Sequence, residues 1–360
     1  MLRYFKRMAT DSPLVLTTFI IIFIGLLLLF SASRGMASKE GIFFKQLLWV
    51  LFGLGLMYMV KNIDYRDVKK FAPLLYIAIL ACLVLVLIIG KGAGATRWIR
   101  MGGFNFQPSE FAKLAVIIAL SAFLAEKNAA KVHILAASLM IIGIPFIFIL
   151  KQPDLGTAFI FIILFFAITH QAGAKKSHLF FLVMAGLVMS PVFWLVMKGY
   201  QKDRILTFIN PMRDPLGRGY NLIQSIITIG SGGIAGKGYL RGTQTKLAFL
   251  PEYHTDFIFC VLAEEFGFIG VLVLLILYYF FFRAILDIIY STQDRFGRLM
   301  GAGILSMFIS HVFINTAMTM GLFPVVGIPL PFISYGGSSL MVSLVSVMLL
   351  VNIRDNSLMF

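Results

Sequence analysis

Apolar and charged positions separate on a long scale along this chain. Ten apolar stretches, at roughly 14–31, 42–60, 71–89, 108–126, 133–150, 155–171, 178–197, 257–282, 298–320 and 334–352, are divided by charged connections. Each is about the length of the roughly 20 residues that carry a helix across a hydrocarbon core, and longer than the strand of a membrane barrel. A helix satisfies its own backbone in lipid. The pattern therefore predicts an all-α polytopic integral membrane protein with about ten transmembrane helices. Residues 198–256, between the seventh and eighth spans, are too polar for a bilayer and form one large loop. No internal repeat or separate soluble domain is visible, so a single transmembrane domain is expected over 1–360.

Composition agrees. The 360 residues are 59% apolar and 13% charged, with mean hydropathy +0.92, where an ordinary soluble domain is about a quarter charged. The net charge of +15 does not point to nucleic acid, because the cations cluster at the ends of apolar runs, as topology signals and headgroup contacts do. Arg3, Lys6 and Arg7 precede the first run, but at 14–30 it is too long for the apolar part of a signal peptide and reads as an uncleaved span. Cys82 and Cys260 fall in or beside apolar runs and give no disulfide framework. Sorting the short connections by side puts fifteen Lys/Arg on one side and six on the other. By the positive-inside rule both termini are cytoplasmic, and the large loop is extracytoplasmic. The connections near 90–107, 151–154 and 321–333 share its side.

The loop carries eight Lys/Arg, among them Arg204, Lys237 and Arg241, against four acids ending in Asp256. A loop of this length is functional or disordered. Its glycine-rich run at 230–244, including Gly232 and Gly233, allows close backbone approach but lacks the phosphate-binding G-x-x-x-x-G-K-[ST] pattern. Thr255 or Asp256 can equally be the N-cap of the next span, and Glu264 and Glu265, further in, can be structural partners. In the 92–113 segment, Pro108 suits a first helical turn, and Glu110 and Lys113 fall on one face. They read either as a helix-start ion pair or, being charged in an apolar span, as a site. Trp98, between Arg97 and Arg100, is an interfacial anchor or a binding residue. In KQPDLGT (151–157), Asp154 reads as a cap at a helix start. The prolines and glycines of 321–339 are a tight turn or an irregular segment lining protein or water. The five histidines show no ligand spacing, so no metal site held by the protein is readable.

These runs, namely FQPSEFAK, QPDLGT, DPLGRGYNLIQS, IGSGGIAGKG, LPEYHTDFIF, LAEEFGFIG and PVVGIPLPFISYGGSS, resemble in content and order the SEDS family, the shape, elongation, division and sporulation proteins. LRGTQTKLAFLPEYHTDFIF is more similar to the rod-shape members than to the division members. The resemblance implies a peptidoglycan glycosyltransferase of the bacterial cytoplasmic membrane that polymerises lipid II at its outer face. It implies partnership with a class B penicillin-binding protein and the elongation machinery. It assigns the essential acid to Asp256, sensitive positions to Glu110 and Lys113, and a basic position to Arg204. Asn105 stands where some relatives carry a basic residue.

The chemistry follows from that substrate. A sugar hydroxyl attacks an anomeric carbon while a polyprenyl diphosphate leaves. The leaving group is good, so one base suffices where glycosidases use two carboxylates. Asp256 is placed to be that base, and partial desolvation would favour it. Arg204, Lys237, Arg241 and Lys113, with Gly232 and Gly233, are candidates to meet the diphosphate charge. No protein-bound cofactor is expected, and a divalent cation is compatible with the reaction. The alternatives are a lipid II flippase and a non-catalytic scaffold for the penicillin-binding protein.

Overall fold

The computed structural model describes residues 12–34, 41–89, 97–101, 104–247 and 249–357. Arg3, Lys6, Arg7, Lys39, Lys91 and residues 92–96 lie outside the described residues. In chain order the elements are α1 (Pro13–Ser33), α2 (Gly41–Lys61), α3 (Tyr65–Ile89), β1 (Ile99–Met101), β2 (Phe104–Phe106), α4 (Pro108–Ala125), α5 (Val132–Lys151), α6 (Leu155–Gln171), α7 (Lys176–Val196), α8 (Gly199–Ile209), α9 (Tyr220–Ser231), α10 (Thr243–Lys246), α11 (Ile258–Ser291), α12 (Arg295–Thr319) and α13 (Gly337–Ser357). Among the described residues, nine helices are long and apolar enough to cross a membrane, and α6 is a shorter apolar helix. The ten apolar stretches are thus ten helices, and the protein is a polytopic helical membrane protein.

Three features depart from the hydropathy pattern. Helix α3 starts six residues before its apolar run, because Asp67 in its first turn bonds Lys70 at 2.7 Å and favours the dipole end. Strands β1 and β2 pair antiparallel, with Ile99 opposite Phe106. The 198–256 stretch holds α8, α9 and α10. In α9, Leu222, Ser225 and Thr228 are buried at a spacing of three, so an amphipathic helix lies within what reads as loop.

Packing divides the chain into two compact units, each built from separated stretches: Met1–Gly53, Lys198–Ala284 and His311–Ser343, and Leu54–Met197, Ile285–Ser310 and Leu344–Phe360. In the second, α4 packs on α3, α5 and α6. Its core is Val116, Ile117, Leu120 and Leu124 of α4 and Ile160, Phe161, Leu164 and Ile168 of α6, all buried at helical spacing. Buried Asn352 ties this unit's connection by donating from Nδ2 to Lys61 O and Ile63 O at 3.2 and 2.8 Å, and it accepts from Tyr65 N at 3.0 Å.

The first unit is organised by a break in α11. Gly267 has φ 63 and ψ −160, a region essentially restricted to glycine. The break removes the helical bonds that Phe268 N and Ile269 N would give to Glu264 O and Glu265 O. The glycine-rich segment supplies all four missing partners. Phe268 N and Ile269 N donate to Gly233 O and Ile234 O at 3.0 and 3.1 Å, while Glu264 O and Glu265 O accept from Lys237 N and Gly238 N at 3.0 and 2.9 Å. The fit is backbone on backbone. A Cβ on Gly236 would lie 2.2 Å from Glu265 O, and one on Gly232 would lie 1.9 Å from Ala263 O. Burying four backbone groups unpaired in this setting would cost several kcal/mol each, so the glycine run and the broken helix require each other. Ser31 of α1 bonds Glu265, and Tyr239 OH donates to Leu27 O at 3.1 Å, which fixes the same assembly to α1.

Gly267→Ala should destabilise the protein by at least about 1–3 kcal/mol from backbone conformation alone, with a further collision against Gly236 N, 2.4 Å from the added Cβ. Gly55→Ala in α2, where an added Cβ meets nothing within 4 Å, should be neutral or stabilising. Thermal unfolding of the two variants in one detergent checks this; equal midpoints would refute the role given to the break.

Candidate active site

Asp256 lies in a run of turns between the glycine-rich segment and α11. Buried Tyr253 and Phe257 anchor the run on either side. Three consecutive carbonyls in it are strapped by the C-terminal end of α12 and the irregular segment that follows it. His254 O accepts from Tyr335 N at 3.0 Å, Thr255 O from Ser334 Oγ at 2.7 Å, and Asp256 O from Asn315 Nδ2 at 2.8 Å. The strapping segment is itself held. Gln46 donates to Ser334 O at 3.4 Å and accepts from Gly336 N at 3.2 Å, and buried Tyr278 donates to Pro331 O at 2.6 Å. The prolines and glycines of 321–339 thus form an irregular segment packed on protein, not a plain turn.

The Asp256 carboxylate stands beside Gly327, whose φ is +69; a Cβ there would lie 3.1 Å from Asp256 Oδ2. Asp256 is half-buried. Helix α11 begins at Ile258, and the Thr255 hydroxyl turns back to Glu252 O and Oε2 at 3.1 and 3.2 Å, so the capping role considered for Thr255 is not realised. Glu252 is exposed, and His254 lies 3.9 Å from it. Burial raises the phenol pKa of Tyr253 and of Tyr335, so both remain neutral near pH 7. Asp256 is the carboxylate here that combines partial burial with a rigid backbone.

Among the described residues, acids engage at least two of the loop cations. Arg218 pairs with Asp203. Lys237 Nζ lies 2.7 Å from Glu264 Oε1, and that same oxygen accepts from Thr243 N and Gln244 N at 2.7 and 2.8 Å, closing the start of α10. Glu264 and Glu265 are the structural partners that their position in the span allows. Arg204 is half-buried on α8, and Arg241 is exposed. Gly232 and Gly233 both meet α11 through backbone: Gly232 lies where a Cβ would overlap Ala263 O, and Gly233 O accepts from Phe268 N.

The other candidates lie in the second unit. Pro108 opens α4, and buried Lys113 donates to Glu110 Oε1 at 2.7 Å, both side chains being 4% exposed or less. Burying two charges is costly unless they pair, as these do, and a buried charged pair inside a membrane-length helix is a candidate site. Asp154 caps α6, accepting from Thr157 N at 3.2 Å, and Arg97 Nη1 lies 3.8 Å from it. Arg97 also donates to Gln152 O at 3.2 Å and to Pro153 O, which joins the 92–113 and 151–157 motifs. Trp98 is half-buried just before β1. Among the described residues, no group of three or more His, Cys, Asp and Glu could hold a metal ion. Sequence reasoning missed Gln152, Asn315 and Ser334. A buried Asn within an apolar span is the kind of signal that could have flagged Asn315.

Comparison with known proteins places these motifs in context. The FtsW/RodA/SpoVE cell cycle protein family matches residues 12–358. The chain is 39% identical to a protein named probable peptidoglycan glycosyltransferase FtsW of Trichlorobacter lovleyi, over 97% of this chain and 94% of the relative. It is 36% identical to the peptidoglycan glycosyltransferase MrdB of Escherichia coli K12, over 98% and 95%. A chain of a solved peptidoglycan synthase complex, described for the structural coordination of polymerization and crosslinking, superposes with TM-score 0.82 at 32% identity, covering 96% of this chain and 97% of that one. Relatives bearing different names match at comparable identity, so the nearness to rod-shape members expected from one run of sequence does not single out a branch.

Glu110→Ala should destabilise the protein by about 3–5 kcal/mol by leaving the buried Lys113 charge without this carboxylate. Glu110→Gln combined with Lys113→Met removes both charges and should recover much of the folded yield. Yield and activity measured together decide the role of the pair: yield without activity marks it as functional, and recovery of both marks it as structural.

Proposed function

The chain belongs to the SEDS family, the FtsW/RodA/SpoVE cell cycle proteins, and from that membership we propose that it is a peptidoglycan glycosyltransferase that polymerises lipid II into glycan strands. The observation that carries the reading is Asp256, a half-buried carboxylate on a backbone strapped at three consecutive carbonyls. Asp256 takes the proton of the acceptor sugar hydroxyl as that oxygen bonds to the anomeric carbon of the donor. The bond from that carbon to the diphosphate breaks, and the polyprenyl diphosphate leaves with the electron pair. A diphosphate leaves as a stable anion, so no second carboxylate is needed. Arg204 and Arg241 meet its charge, with Lys237 available if its pairing with Glu264 opens. Glu110 and Lys113 serve substrate binding, as the family resemblance implies, and Trp98 is a candidate for the same role. The protein holds no cofactor of its own in this reading.

The setting is also a proposal. The positive-inside bias supports both termini in the cytoplasm and the 198–256 segment with Asp256 outside. Similarity to a chain of a synthase complex supports a class B penicillin-binding protein as partner, with cell elongation and rod shape as the process served.

Asp256→Asn keeps shape and removes the base. General-base catalysis contributes on the order of 100- to 10,000-fold, so strand formation from labelled lipid II should fall by about that factor. Lipid II binding and the thermal midpoint should stay near the parent values. A folded Asn variant that polymerises at the parent rate would place the base elsewhere. Transfer of lipid II between vesicle leaflets without strands would mark a flippase.

A further inference from the structure

We infer that Asn315 is a positioning residue for the reaction, fixing the Asp256 carboxylate by holding the backbone that carries it; the inference rests on the role given to Asp256 above. Asn315 is fully buried near the C-terminal end of α12. Its Nδ2 donates to Asp256 O at 2.8 Å and to Ile328 O at 2.7 Å. Two carbonyl oxygens at those distances identify that end of the amide as the nitrogen. One amide group therefore clamps two chain segments, and it does so at the two places that matter to the carboxylate. One is the residue that bears it. The other follows Gly327, whose left-handed backbone and missing Cβ leave the space beside Asp256 Oδ2.

Side-chain chemistry narrows what can stand at 315. An uncharged amide nitrogen offers two hydrogens in a fixed fork. Serine offers one, an ionised aspartate none, and lysine or arginine brings a charge. Asn315 Oδ1 is buried with no hydrogen-bond partner among the described residues, so the amide is oriented by its donors at the expense of its acceptor. The turn that carries it is fixed as well. Thr319 Oγ1 donates to Asn315 O at 3.1 Å, and Thr319 O accepts from Ser225 of α9 at 2.9 Å. One turn earlier on α12, His311 Nδ1 lies 3.2 Å from Pro329 O, so this face of the helix reads two successive carbonyls of the irregular segment. A base must sit within hydrogen-bond reach of its proton, and displacement of about 1 Å can cost about 100-fold in rate.

The test uses the full chain in proteoliposomes with labelled lipid II, comparing Asn315→Ser, Asn315→Gln and Asn352→Ser. Asn352 makes the same two-carbonyl fork in the other unit and controls for loss of a buried amide. Asn315→Ser should lower kcat by about 10- to 100-fold with KM for lipid II unchanged. Asn315→Gln, which keeps both donors, should recover part of that loss. Asn352→Ser should lower the thermal midpoint comparably and leave kcat at the parent value. Parent kcat in Asn315→Ser overturns the inference. So does a loss no larger than that of Asn352→Ser, a loss confined to KM, or misfolding of both Asn315 variants while Asn352→Ser folds. Asp256→Asn in the same assay separates the two ideas. If it polymerises at the parent rate, the assignment of the base fails. If it is inactive while Asn315→Ser is not, only the positioning role fails.

Discussion

A backbone polar group in a low-dielectric setting must find a partner, and the first unit is built around satisfying that constraint where a helix is broken. Four groups of α11 lose their helical partners at Gly267 and regain them from the 233–238 segment. In sequence the glycines of that segment allow close backbone approach but lack a phosphate-loop pattern. In the structure their freedom is spent on contact with α11, because a side chain at 232 or 236 would overlap its backbone. The carboxylates of Glu264 and Glu265 extend the joint, one to Lys237 and the start of α10, the other to Ser31 of α1.

The same constraint produces the geometry at Asp256. The prolines of the 321–336 segment cannot continue a helix, so its carbonyls and those of 254–256 need other partners. Asn315, Ser334, Tyr335 N and Gln46 provide them. The carbonyls of this irregular backbone are thereby hydrogen-bonded, as in a helix, while a carboxylate is kept off the helix itself, half-exposed. That combination suits a base that must stay ionisable and yet hold its aim. The surroundings of Lys237 differ in kind. Its charge is committed to Glu264 and two backbone amides share the same oxygen, so any role toward a diphosphate requires that cluster to open.

Hydropathy length alone determined the helical membrane class and the ten apolar helices, because a bilayer admits few backbone solutions and fixes their length. The i, i+3 spacing of Glu110 and Lys113 and the capping by Asp154 were also legible, since both are local. Tertiary structure decided the rest. The partners of Asp256 O, Thr255 O and Glu265 lie 59, 79 and 234 residues away in sequence, and no periodicity encodes contacts of that range. The division into two units, each drawn from three separated stretches, has no boundary in composition for the same reason. A row of cations shows how much positive charge a loop carries; only the folded chain decides which of them neighbouring acids have already engaged.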